Sequence, residues 1–168
     1  MSEIGLAGFY SPWTGEANFN PDLPPCQLPH IVAHEKAHQR GVANEAEANF
    51  LGYLACVYSD DPYVRYSGLL FAQRQLIIEL LLRDRPRGEA LLKQRLPGVQ
   101  RDVNEMKAFW NRYEGRAHSV SLAVNNAYLR ANGVEGGLMS YALSARLLVM
   151  YARHNAGSCL PLKTIAKK

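Results

Sequence analysis

Two histidines four residues apart constrain the fold of this chain more than any other feature of its sequence. The stretch HEKAHQRG contains His34 and His38, with Glu35 directly after the first histidine. Residues four apart lie on the same face of an α-helix, one turn apart, so a helix would bring both imidazoles to one ligand. Glu35 lies about 100° around such a helix from His34, beside the histidine face and not on it. The spacing therefore predicts a helix with a paired-histidine face.

Start and stop signals predict that this helix belongs to a pair. Pro29 suits the first turn of a helix, and Gly41 suits its C-terminal end. Asn44 can cap a second helix that continues to about residue 58, and Asp61 can cap a third that runs to about residue 83. We therefore expect residues 29–59 to form a helix pair joined by a short turn.

Further helices are expected downstream. The segment RDRPRGE is interpreted as a loop, followed by a short helix that ends at Leu96. A long helical stretch is predicted from Pro97 to about residue 133, and a last helix from Leu138 to His154.

The predicted fold class is mainly α, with one domain over residues 1–168 and little or no β structure. Residues 1–28 are dense in turn-forming residues and are expected to be irregular, with at most a short extended piece near residues 16–19. Residues 29–59 are the predicted metal-binding pair, and residues 60–168 the helical remainder.

Two imidazoles on one helical face suit a tetrahedral zinc ion. Glu35, offset from that face, can reach a water without being a ligand itself, which is the role of the glutamate in the H-E-x-x-H pattern of metallopeptidases. The sequence therefore predicts Zn²⁺ bound by His34 and His38, with Glu35 as the general base. An exposed charged helix that carries two histidines by chance is the alternative.

A third protein ligand is expected because catalytic zinc sites usually have three. Asn44 is a poor zinc ligand and a good helix cap, and Glu47 can close a capping box with it. Glu45 has no such role and shares a face with Asn49, where it could pack against the histidine helix. We therefore predict Glu45 as the ligand and Asn49 as a hydrogen-bonding residue behind it. Glu47 is the alternative ligand.

Four further features of the sequence have a candidate role. Tyr66 is a candidate to stabilise the oxyanion that forms when water attacks a carbonyl, and a helix-interface aromatic is the alternative. His30 could extend the histidine stripe, but a solvated first-turn side chain is favoured. Cys56 is expected to be a small core residue, and the GEANFN stretch a wall of the substrate cleft.

Composition excludes several functional classes. The chain has 168 residues, 48% of them hydrophobic and 20% charged, as in a globular protein. The net charge is only +4, and no aromatic residues interleave with the arginines of the 83–87 cluster, so nucleic acid is not an expected partner. The apolar run Leu69–Leu82 is too short and too charged for a membrane span. The chain as given is expected to be soluble.

These motifs resemble those of gluzincin-type zinc peptidases, in which an H-E-x-x-H helix is followed by a helix that carries the third ligand. That ligand maps onto Glu45, and Asn49 takes the place of the second motif's aspartate. A closer resemblance, to a bacterial zincin-like family of unknown function, covers GFYSPWTGEANFN, LPHIVAHEKAHQRG, NEAEANFLGYLAC, RYSGLL and NNAYLRANG. Its members usually carry membrane helices ahead of the catalytic segment, so the resemblance implies membrane association through segments outside this chain.

The function expected from the sequence is zinc-dependent hydrolysis of peptide bonds, with a peptide or protein as substrate. The alternative is a non-catalytic binding or scaffold protein in which a metal ion stabilises the helices. A catalytic site keeps one coordination position open, whereas a structural site fills all four with protein ligands.

Overall fold

The computed structural model describes residues 1–113 and 138–161, and this part of the chain is mainly helical, as predicted. A 3-10 turn at Ser2–Ile4 precedes two strands, β1 (Gly8–Ser11) and β2 (Glu16–Phe19). The helices that follow are, in chain order, α1 (Leu28–Gln39), α2 (Glu45–Val57), α3 (Pro62–Arg83), α4 (Arg85–Lys93), α5 (Pro97–Arg112) and α6 (Leu138–His154).

The predicted start and stop signals of the first three helices are confirmed. The Asn44 side chain accepts hydrogen bonds from the backbone N–H groups at the start of α2, and Asp61 does the same at the start of α3. Gly41, just after α1, has a φ of 94°, a left-handed conformation that glycine adopts without strain. The chain therefore turns sharply after α1, and α2 folds back beside it.

A glycine lets the two helices of this pair approach closely. A Cβ atom at Gly52 would lie 3.1 Å from the backbone nitrogen of His34 and 3.4 Å from Nε2 of His30. Ala37 on α1 and Ala48 on α2 are both buried. Small side chains at this interface therefore bring the start of α2 next to the histidines of α1.

The N-terminal segment is more ordered than the sequence predicted. β1 and β2 form an antiparallel hairpin with register Gly8↔Phe19 to Ser11↔Glu16, and both strands pack against α1. The predicted extended piece at residues 16–19 is β2, but β1 was missed. Strands of four residues carry too little alternation to stand out from a sequence rich in turn formers.

The predicted RDRPRGE loop is wrong, because α4 begins at Arg85 within it. The Asp84 side chain caps α4 by accepting a hydrogen bond from the backbone N–H of Arg87. The proline falls in the first turn, where its missing N–H costs nothing. A Cβ atom at Gly88 would lie 2.7 Å from Cδ2 of Leu81, so the glycine allows α4 to pack against α3 and does not break the helix.

The remaining helices agree with the sequence where the structure describes them. α5 begins at Pro97 and α6 spans Leu138–His154, both as predicted. The predicted continuation of α5 from residue 114 to residue 133 lies outside the described residues.

Two buried clusters hold the helices together. Tyr53, Val57, Ala72 and Leu148 join α2, α3 and α6. Cys26, Leu70, Val103 and Met106 join the segment before α1 to α3 and α5. Burying one large apolar side chain of this kind contributes about 1.5–3 kcal/mol. Cys56 is buried as predicted, and a Cβ atom at Gly68 would lie 2.6 Å from its Cβ, so α3 approaches α2 closely at this point.

None of the described helices is both long enough and apolar enough to cross a bilayer. The apolar run Leu69–Leu82 lies within α3, as part of a helix that packs on α1, α2, α4 and α6.

Candidate metal centre

Three side chains from two helices converge at the start of α2. His34 and His38 lie one turn apart on α1, and Glu45 is the first residue of α2. These three residues offer ligand atoms that all lie within 4.8 Å of one another, and they form the only such group among the described residues. The structure therefore brings together the three predicted ligands.

The separations of these atoms suit a small tetrahedral ion. The two Nε2 atoms of His34 and His38 are 3.1 Å apart. The Glu45 carboxylate lies 3.4 Å from Nε2 of His34 through one oxygen and 3.5 Å from Nε2 of His38 through the other. A tetrahedron with metal–ligand bonds of about 2.0–2.1 Å has edges of about 3.3–3.4 Å. The three residues therefore need little movement to bind one ion together.

A backbone carbonyl orients the ring of His38. Its Nδ1 lies 2.7 Å from the carbonyl oxygen of Val42. A carbonyl oxygen only accepts hydrogen bonds, so Nδ1 carries a proton, and Nε2 is the nitrogen that faces His34 and Glu45 and whose lone pair is free when the ring is neutral. This is the arrangement that a metal-binding imidazole requires.

The neighbours of Glu45 and His38 favour the charged forms of these two side chains. Burial raises the pKa of Glu45, but hydrogen bonds and charges from His34 and His38 outweigh it and lower the pKa to about 2. Burial lowers the pKa of His38, but the hydrogen bond and charge of Glu45 outweigh it and raise the pKa. Glu45 is therefore a carboxylate at neutral pH, as a metal ligand must be.

Glu35 is a buried acid beside this group. Only 6% of the residue is exposed, and this burial raises the pKa of its carboxyl group, although His34 and His38 pull the other way. Its carboxylate lies against β1, because a Cβ atom at Gly8 would be 2.5 Å from its Oε1. Nothing in the sequence indicated that Gly8 touches Glu35. The contact joins β1 to α1, and the sequence contains no sign that these two segments pack together.

A cleft of about 290 Å³ borders Glu35 on the side of the hairpin. It runs between β2 and α1, and its walls include Ala17, Phe19, Val32, Lys36 and Gln39. Glu16, Ala17 and Phe19 of the GEANFN stretch therefore line a cleft next to Glu35, and its role as a wall of a substrate cleft stays a prediction.

His30 stands apart from the three converging side chains. The expectation of a solvated ring is wrong, because His30 is only 3% exposed. Its ring stacks on Phe71 with centroids 3.8 Å apart, and Nε2 donates to the backbone carbonyl of Asn49 at 3.2 Å. Burial lowers the pKa of His30 to about 3, so the ring is neutral. His30 ties α1 to α2 and α3.

Tyr66 is placed by contacts with α5. Its hydroxyl donates a 2.5 Å hydrogen bond to the carboxylate of Asp102, and its ring packs against the cluster around Leu70. These contacts match the helix-interface alternative, and they commit the hydroxyl to a partner other than a substrate.

The two remaining candidates on α2 differ in exposure. Glu47 is exposed, and its backbone N–H donates to the Asn44 side chain at 3.1 Å. Asn49 is half-buried and lies one turn after Glu45, and its backbone oxygen accepts from His30 of α1. Nδ1 of His34 is buried without a hydrogen-bond partner among the described residues.

One protein-family model matches this chain. No curated protein and no solved structure matches it. The matching model is described as a protein of unknown function, DUF3810, and covers residues 1–149, which include the hairpin, α1 and α2. The chain therefore belongs to the DUF3810 family.

Proposed function

We propose that this protein is a zinc-dependent metallopeptidase in which His34, His38 and Glu45 hold the metal and Glu35 is the general base. The observation that carries the proposal is the convergence of three ligand side chains from two helices at separations of 3.1–3.5 Å. An exposed helix that carried two histidines by chance would have no reason to place a carboxylate between them.

The donor set is the reason to propose zinc. Two imidazole nitrogens and one carboxylate oxygen form a common catalytic zinc site, whereas Mg²⁺ and Ca²⁺ prefer oxygen ligands alone. Zinc held by these residues supplies Lewis acidity, which activates a water and polarises a carbonyl. The proposal extends the gluzincin-type resemblance of the two helices to this member of the DUF3810 family.

Glu35 performs the proton transfers in the proposed reaction. Its carboxylate accepts a proton as water attacks the peptide carbonyl carbon and forms the new C–O bond. It then returns that proton to the amide nitrogen as the C–N bond breaks. Burial supports this role, because the raised pKa of Glu35 makes its carboxylate a stronger base than an exposed one.

The substrate class that we propose is a peptide or protein. The cleft between β2 and α1 borders Glu35, so a chain lying along it would pass the proposed base. Ala17, Phe19 and Val32 give the cleft an apolar part that could receive a side chain.

Asn49 is proposed to orient His34. One side of α2 carries Glu45, Asn49 and Gly52 at helical spacing. Glu45 and Gly52 both face His34. Asn49 lies between them on the helix, and Nδ1 of His34 is buried without a partner among the described residues. A rotation of the Asn49 side chain toward this nitrogen would let its oxygen accept the Nδ1 proton.

The rival function is a non-catalytic protein that uses the metal as a clip between α1 and α2. A structural site would have four protein ligands, but the group found among the described residues has three. The Glu45 side chain is also 29% exposed, which leaves a side of the site open to water and substrate. These two observations favour the catalytic function.

The test is cleavage of a denatured protein by zinc-loaded variants, with fragments identified by mass spectrometry. Wild type and Glu47→Gln, the matched exposed glutamate, are expected to cleave it. Glu35→Gln is expected to keep zinc and to cleave about 100-fold more slowly or worse, since general-base catalysis contributes roughly that factor or more. The proposal is wrong if Glu35→Gln cleaves at the wild-type rate, or if it loses zinc as completely as His34→Ala.

A further inference from the structure

Gly8 in β1 is in closer contact with Glu35 than any side chain would allow. An added Cβ atom would lie 2.5 Å from Oε1 of Glu35, 2.6 Å from its Cγ and 2.8 Å from the backbone oxygen of Asn18. Real Cβ atoms do not approach other atoms this closely. The glycine therefore leaves room for the glutamate side chain.

The backbone conformation gives no other reason for a glycine here. The described glycines with positive φ are Gly5, Gly15, Gly41 and Gly157, and Gly8 is not among them. The φ of Gly8 therefore does not call for a glycine, and most residues have a higher strand propensity than glycine. What the position requires is the missing side chain, between Glu35 and the backbone oxygen of Asn18.

The hairpin that carries Gly8 is fixed to the rest of the fold at both ends. At its tip, Nε2 of Gln39 donates to the backbone oxygen of Gly15 at 2.7 Å, one helical turn beyond Glu35. At its base, the fully buried Asn20 side chain donates to Oγ of Ser2 at 2.8 Å and to the backbone oxygen of Leu6 at 3.2 Å. β1 is therefore a fixed wall and not a loose flap.

We propose that Gly8 is a positioning residue for the general base: β1 backs the Glu35 carboxylate and restricts it to orientations near His34, His38 and Glu45. This inference rests on the proposed function, because it assigns the close contact a purpose in proton transfer. A carboxylate that packs against a strand on one side can adopt fewer rotamers. A larger fraction of the molecules then has the carboxylate in the orientation that accepts a proton. The wall also keeps water away from the back of the carboxylate.

The first test is Gly8→Ala, with Gly98→Ala as the matched control. A Cβ atom at Gly98 would meet only a side-chain nitrogen of Arg101, at 3.9 Å. Gly8→Ala is expected to lower kcat at least 10-fold, with KM and zinc content within twofold of wild type, and Gly98→Ala to change none of them. An unchanged kcat in Gly8→Ala overturns the inference, and so does a fall in kcat that follows a loss of zinc.

A second variant covers the case in which Gly8→Ala does not fold. Gln39→Ala releases the hairpin tip without adding an atom near Glu35, and it is expected to lower kcat severalfold with zinc and KM retained. The unchanged KM separates this effect from a change in the cleft, which Gln39 also lines. Wild-type kcat in Gln39→Ala, measured with a folded protein, would count against a fixed wall.

A thermal-unfolding cycle separates the contact from general damage to the hairpin. Gly8→Ala is expected to lower Tm more in the presence of Glu35 than in a Glu35→Ala background, where only the Asn18 contact remains. Equal shifts in Tm in both backgrounds would show that the side chain at residue 8 does not contact Glu35. If wild type binds zinc and cleaves nothing, the proposed function fails instead, whatever this cycle gives.

Discussion

The carboxylate of Glu45 lies 3.4 Å from Nε2 of His34, although the two residues belong to different helices. Gly41 ends one helix and Asn44 caps the next, so Glu45 begins α2 immediately beside the histidine face of α1. A residue one turn later on α2 would lie further from the turn and could not reach both imidazoles as easily. The contact is therefore a direct consequence of how the two helices are joined.

Glu45→Ala is predicted to weaken zinc binding far more than Glu47→Ala. Glu45 faces both imidazoles, whereas Glu47 is exposed at the start of the same helix. Loss of residues behind a metal ligand already costs about 10–100-fold in affinity, so loss of the ligand itself should cost more than about 100-fold. Zinc titration with a competing chelator measures both variants. A larger loss in Glu47→Ala would mean that Glu47 is the ligand.

Removal of zinc is predicted to lower the melting temperature. The ligands come from α1 and α2, so the ion would tie the two helices together only in the folded chain. Free zinc at about 100 times its Kd adds about 2.7 kcal/mol, and each kcal/mol shifts Tm by about 2–4 °C for a chain of this size. Calorimetry with and without chelator should show a shift of about 5–10 °C. Equal midpoints for a sample with confirmed zinc would contradict a ligand set drawn from both helices.

His30 is predicted to make the chelated protein less stable as pH falls. Burial lowers the pKa of His30 from 6.5 to about 3, so below about pH 6.5 the unfolded chain takes up a proton that the folded chain does not. Stability from this residue is therefore present above pH 6.5 and lost as the pH falls from there towards 3, by about 2 kcal/mol at pH 5.

The measurement is urea unfolding of wild type and His30→Gln in chelator at pH 7 and pH 5. Glutamine keeps a donor for the Asn49 carbonyl without a titrating ring, so the variant should lose about 2 kcal/mol less than wild type over this interval. The exposed His154→Gln is the control and should behave as wild type. Identical losses in wild type and His30→Gln would show that the His30 ring does not resist protonation in the folded chain.

The pairing of α1 and α2 could be predicted from the sequence because its determinants are local. The four-residue histidine spacing, the glycine after α1 and the asparagine cap all act within one or two helical turns. Together they determine where α2 begins. The start of α2 in turn determines that Glu45, and not Glu47, meets His34 and His38.

Contacts between distant segments could not be predicted in the same way. His30 is buried because Phe71, 41 positions later, stacks on it. Tyr66 meets Asp102 across 36 positions. The wall formed by Gly8 depends on a hairpin whose strands have four residues each. No local pattern records such pairings, so the sequence left His30 in solvent and gave no partner to Tyr66.

The claim on which the account depends is that His34, His38 and Glu45 bind zinc, and metal analysis tests it most directly. The measurement is elemental analysis of protein that has been stripped, reconstituted with zinc and freed of unbound metal. We predict about one zinc per chain for wild type and Glu47→Ala, and almost none for His34→Ala or Glu45→Ala. Wild-type protein that is folded and yet holds no zinc after reconstitution would contradict the account.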